Sequence, residues 1–386
     1  MKSHRALFGS VLLIVLFSLV GCKGPEGPQG PPGESSVLNL EGFASDIKCG
    51  NCHNPDTDTT NYVWARKYQW ELSKHFYGGD FERNSSSCAG CHTTEGFIER
   101  MQGRAVTNHV DASPPGCFAC HSPHARGNFS LRKKDPVVIT SAITGVPDQT
   151  YDYGKGNLCV QCHQTRVIGG VVLNPKMDAN PPGDSLVIAT SRWYPHYGVQ
   201  GQMFMGTGGF KFPGYTYTGN SNHSTNTVIK QEGCIACHMA DATAGSGIAG
   251  GHTMNIEYEN TSGQKASLLN GCTVSGCHSA AGFTINYIGS SSSLTGGVGT
   301  HTVVEAYLDT LFRLLGTKGW MDTDPASSSY GLVKASSSKP LVIKPAVRAG
   351  ALFNYFFIEH DMSKGSHNTK YAVELLKSSI AELRKP

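Results

Sequence analysis

No stretch of this 386-residue sequence is a convincing membrane-spanning helix, because crossing a bilayer takes about 20 apolar residues and the run at residues 6–21 (ALFGSVLLIVLFSLVG) has 16. A dominant charge is missing as well. There are 32 Lys and Arg against 29 Asp and Glu, a net +3, which argues against the basic surface of a nucleic-acid binder. Hydrophobic content is a modest 39%, leaving side chains limited means to build a large core. Free thiols are also scarce. Of 13 cysteines, all but Cys22 fall into pairs that each precede a histidine, so none remains for a disulfide. Beyond His278 there is no cysteine.

The pairs carry the chemistry. Five read C-x-x-C-H: Cys49-Cys52-His53, Cys88-Cys91-His92, Cys117-Cys120-His121, Cys159-Cys162-His163 and Cys234-Cys237-His238. A sixth has a wider spacer, Cys272 to Cys277 followed by His278. C-x-x-C-H is the attachment signature of a c-type haem, in which two thiols add to the vinyl groups and the histidine reaches the iron. An isolated C-x-x-C is also compatible with a redox dithiol or half a zinc site. Six pairs, each followed by histidine, predict six covalent haems. Much of the core is then expected to be cofactor, and the propionates make the loaded protein acidic.

The N-terminus reads as an export signal over residues 1–21, with Lys2 and Arg5 ahead of the apolar run. Leu19-Val20-Gly21-Cys22 resembles a bacterial lipobox, predicting cleavage before Cys22 and a lipid on its sulfur. Export suits haem attachment, which occurs outside the cytoplasm. Lys23 stands where inner-membrane retention would use aspartate, favouring the outer membrane, on its periplasmic or cell-surface face. Residues 22–47 read as a tether: Gly24–Gly33 (GPEGPQGPPG) has glycine at every third position, but too few triplets for a collagen helix, and is expected to be extended.

Residues 48–280 are the expected six-haem region. The first cysteines lie 39, 29, 42, 75 and 38 residues apart, so there is no fixed repeat. Abundant glycine, 46 residues, predicts short helices at the motifs, irregular loops and little sheet. Trp64 to Phe76 is expected to form one helix presenting Tyr68 and His75. Residues 281–386 predict a helical region packed on the haem region: Val304, Tyr307, Leu308, Leu311, Phe312 and Leu315 recur at helical spacing, as do Ala351, Leu352, Tyr355, Phe356 and Ile358, and Val373, Leu376, Ile380 and Leu383. The fold class is mainly α with much irregular loop.

A haem iron has two axial positions. One filled by the motif histidine and one by a second side chain makes an electron carrier; an open one admits substrate. Outside the motifs and His4 there are nine histidines for six irons: His75, His109, His124, His196, His223, His252, His301, His360 and His367.

Several blocks resemble bacterial multihaem cytochromes c, the group that contains pentahaem nitrite reductases and octahaem relatives: CAGCHTTEGF (88–97), CFACHSPH (117–124), CVQCHQTR (159–166), PHYGVQGQMFM (195–205), CIACHM with Gly251-His252, and GSHNTKYAVELL (365–376). The resemblance implies a multihaem cytochrome fold and distal-ligand roles for His124, His252, His75 and His367. His196 and His223 complete the set, with His109 as the alternative to His223. His301 and His360 are expected non-ligands. Met203, Met205, Met239 and Met254 are alternative ligands, with packing as the simpler role. The nitrite reductases bind substrate at a haem whose motif ends in lysine; here all six end in histidine, which favours transport over catalysis. The expected function is a lipid-anchored six-haem carrier between a periplasmic or membrane donor and an external acceptor or redox partner protein. The alternatives are a reductase of a small nitrogen or sulfur oxyanion with one open haem, and a subunit of an extracellular cytochrome filament.

Overall fold

The computed structural model describes residues 53–386, except 57, 122–128, 169–170, 173–175, 182, 242–246 and 290–291. The export signal, Cys22, the tether, Cys49, Cys52 and His124 lie outside the described residues. No described helix is long and apolar enough to cross a membrane.

Helices dominate. Through the first half they are short: α1 (Val63–Glu71), α2 (Lys74–Tyr77), α3 (Ala89–His92), α4 (Thr94–Met101), α5 (Cys117–Cys120), α6 (Asn157–Val160), α7 (Gln200–Met205), α8 (Asn222–Thr225), α9 (Thr227–Glu232) and α10 (Ile235–His238). After the single turn α11 (Ser292–Thr295) come three long ones, α12 (Thr300–Thr317), α13 (Ala349–Asp361) and α14 (Thr369–Arg384). The described strands form five two-stranded ladders and no larger sheet. One of them pairs Leu341–Ile343 with Leu186–Ile188, stitching the C-terminal part of the chain to its middle.

The expected single helix over Trp64–Phe76 is two. Ser73 is extended (ψ 154°) and precedes α2, while its hydroxyl donates to the Trp70 carbonyl at 2.6 Å. That side chain competes with the helical ladder for a backbone group, and the break turns His75 into a separate one-turn helix.

The C-terminal helices do more than pack against the cofactor region. They build the main side-chain core, with Leu311, Leu315, Leu352, Phe353, Phe357, Tyr371 and Leu376 all buried. Trp193, Met203, Phe210 and Phe212 from the middle of the chain join the same cluster. Buried Asn354 has its polar groups satisfied: its amide donates to the Phe210 carbonyl at 2.8 Å and its Oδ1 accepts from Phe210 N–H at 2.6 Å. The expectation that much of the core is cofactor does not extend to this half. Side chains spaced at 3.6 residues on three long helices close on each other.

Candidate cofactor site

Each described two-residue-spaced motif carries a one-turn helix at or beside its cysteines: α3, α5, α6 and α10. Residues three apart on a helical turn share a face, and both thiols of each described pair line the same cavity. The sixth motif, with its wider spacer, has turns and no helix between Cys272 and Cys277. His92 is followed at once by the α4 cap, where Thr93 Oγ1 accepts from Gly96 N–H at 3.0 Å. His367 precedes a cap of the same kind: Asn368 Oδ1 accepts from Tyr371 N–H at 3.2 Å and fixes the start of α14.

The motif histidines meet other histidines in twos. Ring centroids are 5.9 Å apart for His92 and His196, 6.3 Å for His121 and His252, and 6.1 Å for His163 and His75. They are 6.3 Å apart for His238 and His367 and 6.0 Å for His278 and His223. The rings are too far apart to stack on each other. Two metal–nitrogen bonds of about 2 Å each, added to the two ring radii, give a separation of this size. Among the described residues no three His, Cys, Asp or Glu side chains converge as a metal-binding group. A metal between two such rings would need its remaining ligands from something other than the chain, as a porphyrin provides.

A second layer aims several of these rings. His121 Nδ1–H donates to the Phe129 carbonyl at 2.6 Å, His238 Nδ1–H to the Met254 carbonyl at 3.1 Å and His163 Nδ1–H to Gln200 Oε1 at 3.2 Å. His367 Nδ1–H donates to Asp361 Oδ1 at 2.7 Å. With Nδ1 carrying the proton, Nε2 keeps its lone pair for a metal. Burial holds His75, His196, His238 and His252 at about 4, below the ordinary histidine value, so these rings are neutral at pH 7. His367 differs. Burial pulls it down, but the Asp361 carboxylate outweighs burial and raises it.

All ten described motif cysteines and all five ring pairs line one cavity of about 2570 Å³, as does His53. Ordinary small-molecule pockets run to about 1,000 Å³, and protein interiors are close-packed, so a cleft of this size lined by thiols and imidazoles fits several large, flat cofactors. Helix α1 supports that fit. None of its nine residues is buried, yet Val63, Trp64 and Trp70 turn to the cavity. Some lining groups are polarised by cations: Arg100 Nη1–H donates to Cys91 Sγ and Arg166 Nη2–H to Cys88 Sγ, both at 3.0 Å.

His109, His301 and His360 are held by other groups, although His301 also lines the cavity. His109 Nε2–H donates to Glu99 Oε2 at 3.0 Å and does not line the cavity. His301 Nε2 is hydrogen-bonded to Ser366 Oγ at 2.8 Å. His360 is buried among Tyr194, Tyr197 and Phe356, and its Nδ1–H donates to the Pro195 carbonyl at 2.7 Å. Met203 belongs to the side-chain core. Met254 lies behind two rings rather than across a gap from one: its sulfur accepts from His75 Nδ1–H at 3.0 Å. The sequence reading assigned no role to Asp361, Gln200 or Arg100; Asp361 and Arg100 lie outside the quoted blocks, and Gln200 lies within PHYGVQGQMFM.

No family model matches the sequence, and no curated protein matches it. Among solved structures the chain is similar to the crystal structure of the outer cell wall cytochrome OcwA, at 18% identity and a TM-score of 0.45. The match covers 83% of this chain and 50% of that one, so the chain spans about half the length of its neighbour. At that identity and score the likeness assigns no function.

Proposed function

We propose that the chain is a six-haem c-type cytochrome, lipid-anchored through Cys22, that relays electrons between a periplasmic or membrane donor and an external acceptor. The observation that carries this is the set of five histidine pairs, 5.9–6.3 Å apart, along a single cavity lined by every described motif cysteine. For the first motif, His124 is the proposed partner of His53: it is the last of the six distal candidates, and the other five face the other five motif histidines. When bound, haem supplies one-electron chemistry at iron. The chain does the rest. Cys49, Cys52, Cys88, Cys91, Cys117, Cys120, Cys159, Cys162, Cys234, Cys237, Cys272 and Cys277 hold the cofactors. The paired imidazoles would hold the iron, and their carbonyl, amide and carboxylate partners fix the rings.

The five described histidine pairs support transport over reduction of a small oxyanion, since with two imidazoles per iron a substrate would have to displace a nitrogen ligand. The test is mass spectrometry of the mature protein together with an electron paramagnetic resonance spectrum of its oxidised form. The expected result is six haems, all low-spin, and a reduced spectrum that carbon monoxide leaves unchanged. One high-spin haem that binds carbon monoxide stoichiometrically would replace this reading with the reductase.

A further inference from the structure

Three contacts between attachment motifs are not needed for attachment, and together they set an order. Cys162 Sγ–H donates to the Cys91 carbonyl at 3.8 Å, the backbone at Gly156 packs on that at Gly233 and Cys234, and the backbone at Gly271 packs on that at Ala236 and Cys237. The second site thus touches the fourth, the fourth touches the fifth and the fifth touches the sixth. Backbone packing enforces the last two. A Cβ on Gly156, three residues before Cys159, would lie 2.7 Å from the Cα of Gly233, the residue before Cys234. A Cβ on Gly271, the residue before Cys272, would lie 2.3 Å from the Ala236 carbonyl oxygen and 2.9 Å from the Cys237 Cα. Any side chain at these glycines would push neighbouring motifs apart.

The distal histidine of the sixth site, His223, faces His278 at a ring-centroid distance of 6.0 Å. The two ends of this arm also differ in depth. Around the fourth site Val160 and Thr165 are buried. Around the sixth, Val274 is 42% and Ile288 55% exposed, and Ser275, Ala280 and Ala281 are exposed too. None of these five lines the cavity, so a bound cofactor would leave them at the surface.

Building on the cytochrome reading, we infer that the sixth site, with Cys272, Cys277, His278 and His223, ends a single-file arm running from fourth to fifth to sixth site, and is the port where electrons leave for a protein acceptor. In each passage the acceptor gains one electron and the port loses one. The fifth site restores it, and no bond or proton is exchanged. The test mixes the fully reduced, haem-loaded protein with a folded ferric carrier protein too bulky to enter the cavity. Replacing Cys272 and Cys277 by Ser should leave five haems by mass and abolish the fast phase of transfer. Replacing Cys234 and Cys237 by Ser should keep the sixth haem but shrink the fast phase to one electron per molecule. An unchanged fast phase in either variant overturns the inference. Should a variant fail to fold, iron positions located by anomalous scattering in crystals of the unaltered protein decide: the sixth-site iron should have the fifth-site iron as its single near neighbour, and a second near neighbour overturns the order. A wild-type mass without covalent haem would instead defeat the cytochrome reading itself.

Discussion

Helices α1 and α13 carry similar aromatic and aliphatic side chains and use them in opposite ways. In α13, 11 of 13 residues are buried, mostly against other side chains. In α1 none of nine is buried, and Trp64 remains 58% exposed on the cavity wall. The C-terminal region is a protein core of the ordinary kind, whereas the motif-bearing region walls a large cavity, which the proposed haems would fill. Apolar residues in the first are stabilised by their neighbours. In the second they wait on the cofactor, so the two regions should answer differently to the same kind of change.

Truncation at Phe353, which is 1% exposed, should give the largest effect. Phe353→Ala should cost about 3–5 kcal/mol, and the loss should be similar with or without haem, as read by denaturant unfolding. Trp64→Ala should cost little in the haem-free chain and clearly more in the loaded one. Equal losses in both states would erase the distinction between the regions.

Acid should sharpen it next. His75 and His238 lie near 4 in the fold because burial disfavours their charge, against 6.5 for a free histidine. The unfolded chain then binds more protons between those values. Stability from these rings is full above about pH 6.5 and is lost as pH falls toward 4. In the loaded protein the same rings must give up the metal before taking a proton. The acid midpoint by circular dichroism should therefore be lower with haem than without it, and coincident midpoints would count against metal ligation.

The subtlest effect is expected at Asp361. Its carboxylate makes His367 a more electron-rich ligand, which favours the oxidised iron. Asp361→Asn should raise the reduction potential of one haem, at the fifth site, and leave folding stability nearly unchanged. A redox titration that shows no component moving upward would remove Asp361 from the tuning of that site.

The fold class was legible in the sequence, as were the three C-terminal helices, because a 3.6-residue rhythm survives without knowledge of the cofactor. Haem attachment is the proposed reading of the six cysteine–histidine motifs; the motifs themselves were legible by cysteine arithmetic alone. Which ring faces which was not, since partners such as His238 and His367 come together only through the tertiary fold. The choice between His109 and His223 also stayed open in the sequence; in the structure Glu99 holds His109, while His223 faces His278. The break at Ser73 was hidden because a serine inside an amphipathic stretch looks tolerable until its hydroxyl is seen to bond backward. Gln200, 37 residues from His163, and Asp361, six residues from His367, were missed because neither spacing brings two side chains together without the tertiary fold.

Met254 sits in a left-handed turn (φ 57°), a conformation uncommon for a side chain of its bulk. Its sulfur contacts His75 while its carbonyl holds His238, and these rings serve two different motifs. One residue is thus the common mount for two neighbouring centres. Any shift of its peptide that rotates one imidazole must strain or release the other. On the proposed reading, the reduction potentials of the fourth and fifth sites would be linked traits: natural variation or engineering at this turn would move them as a pair, keeping the energy step between them steadier than either value alone.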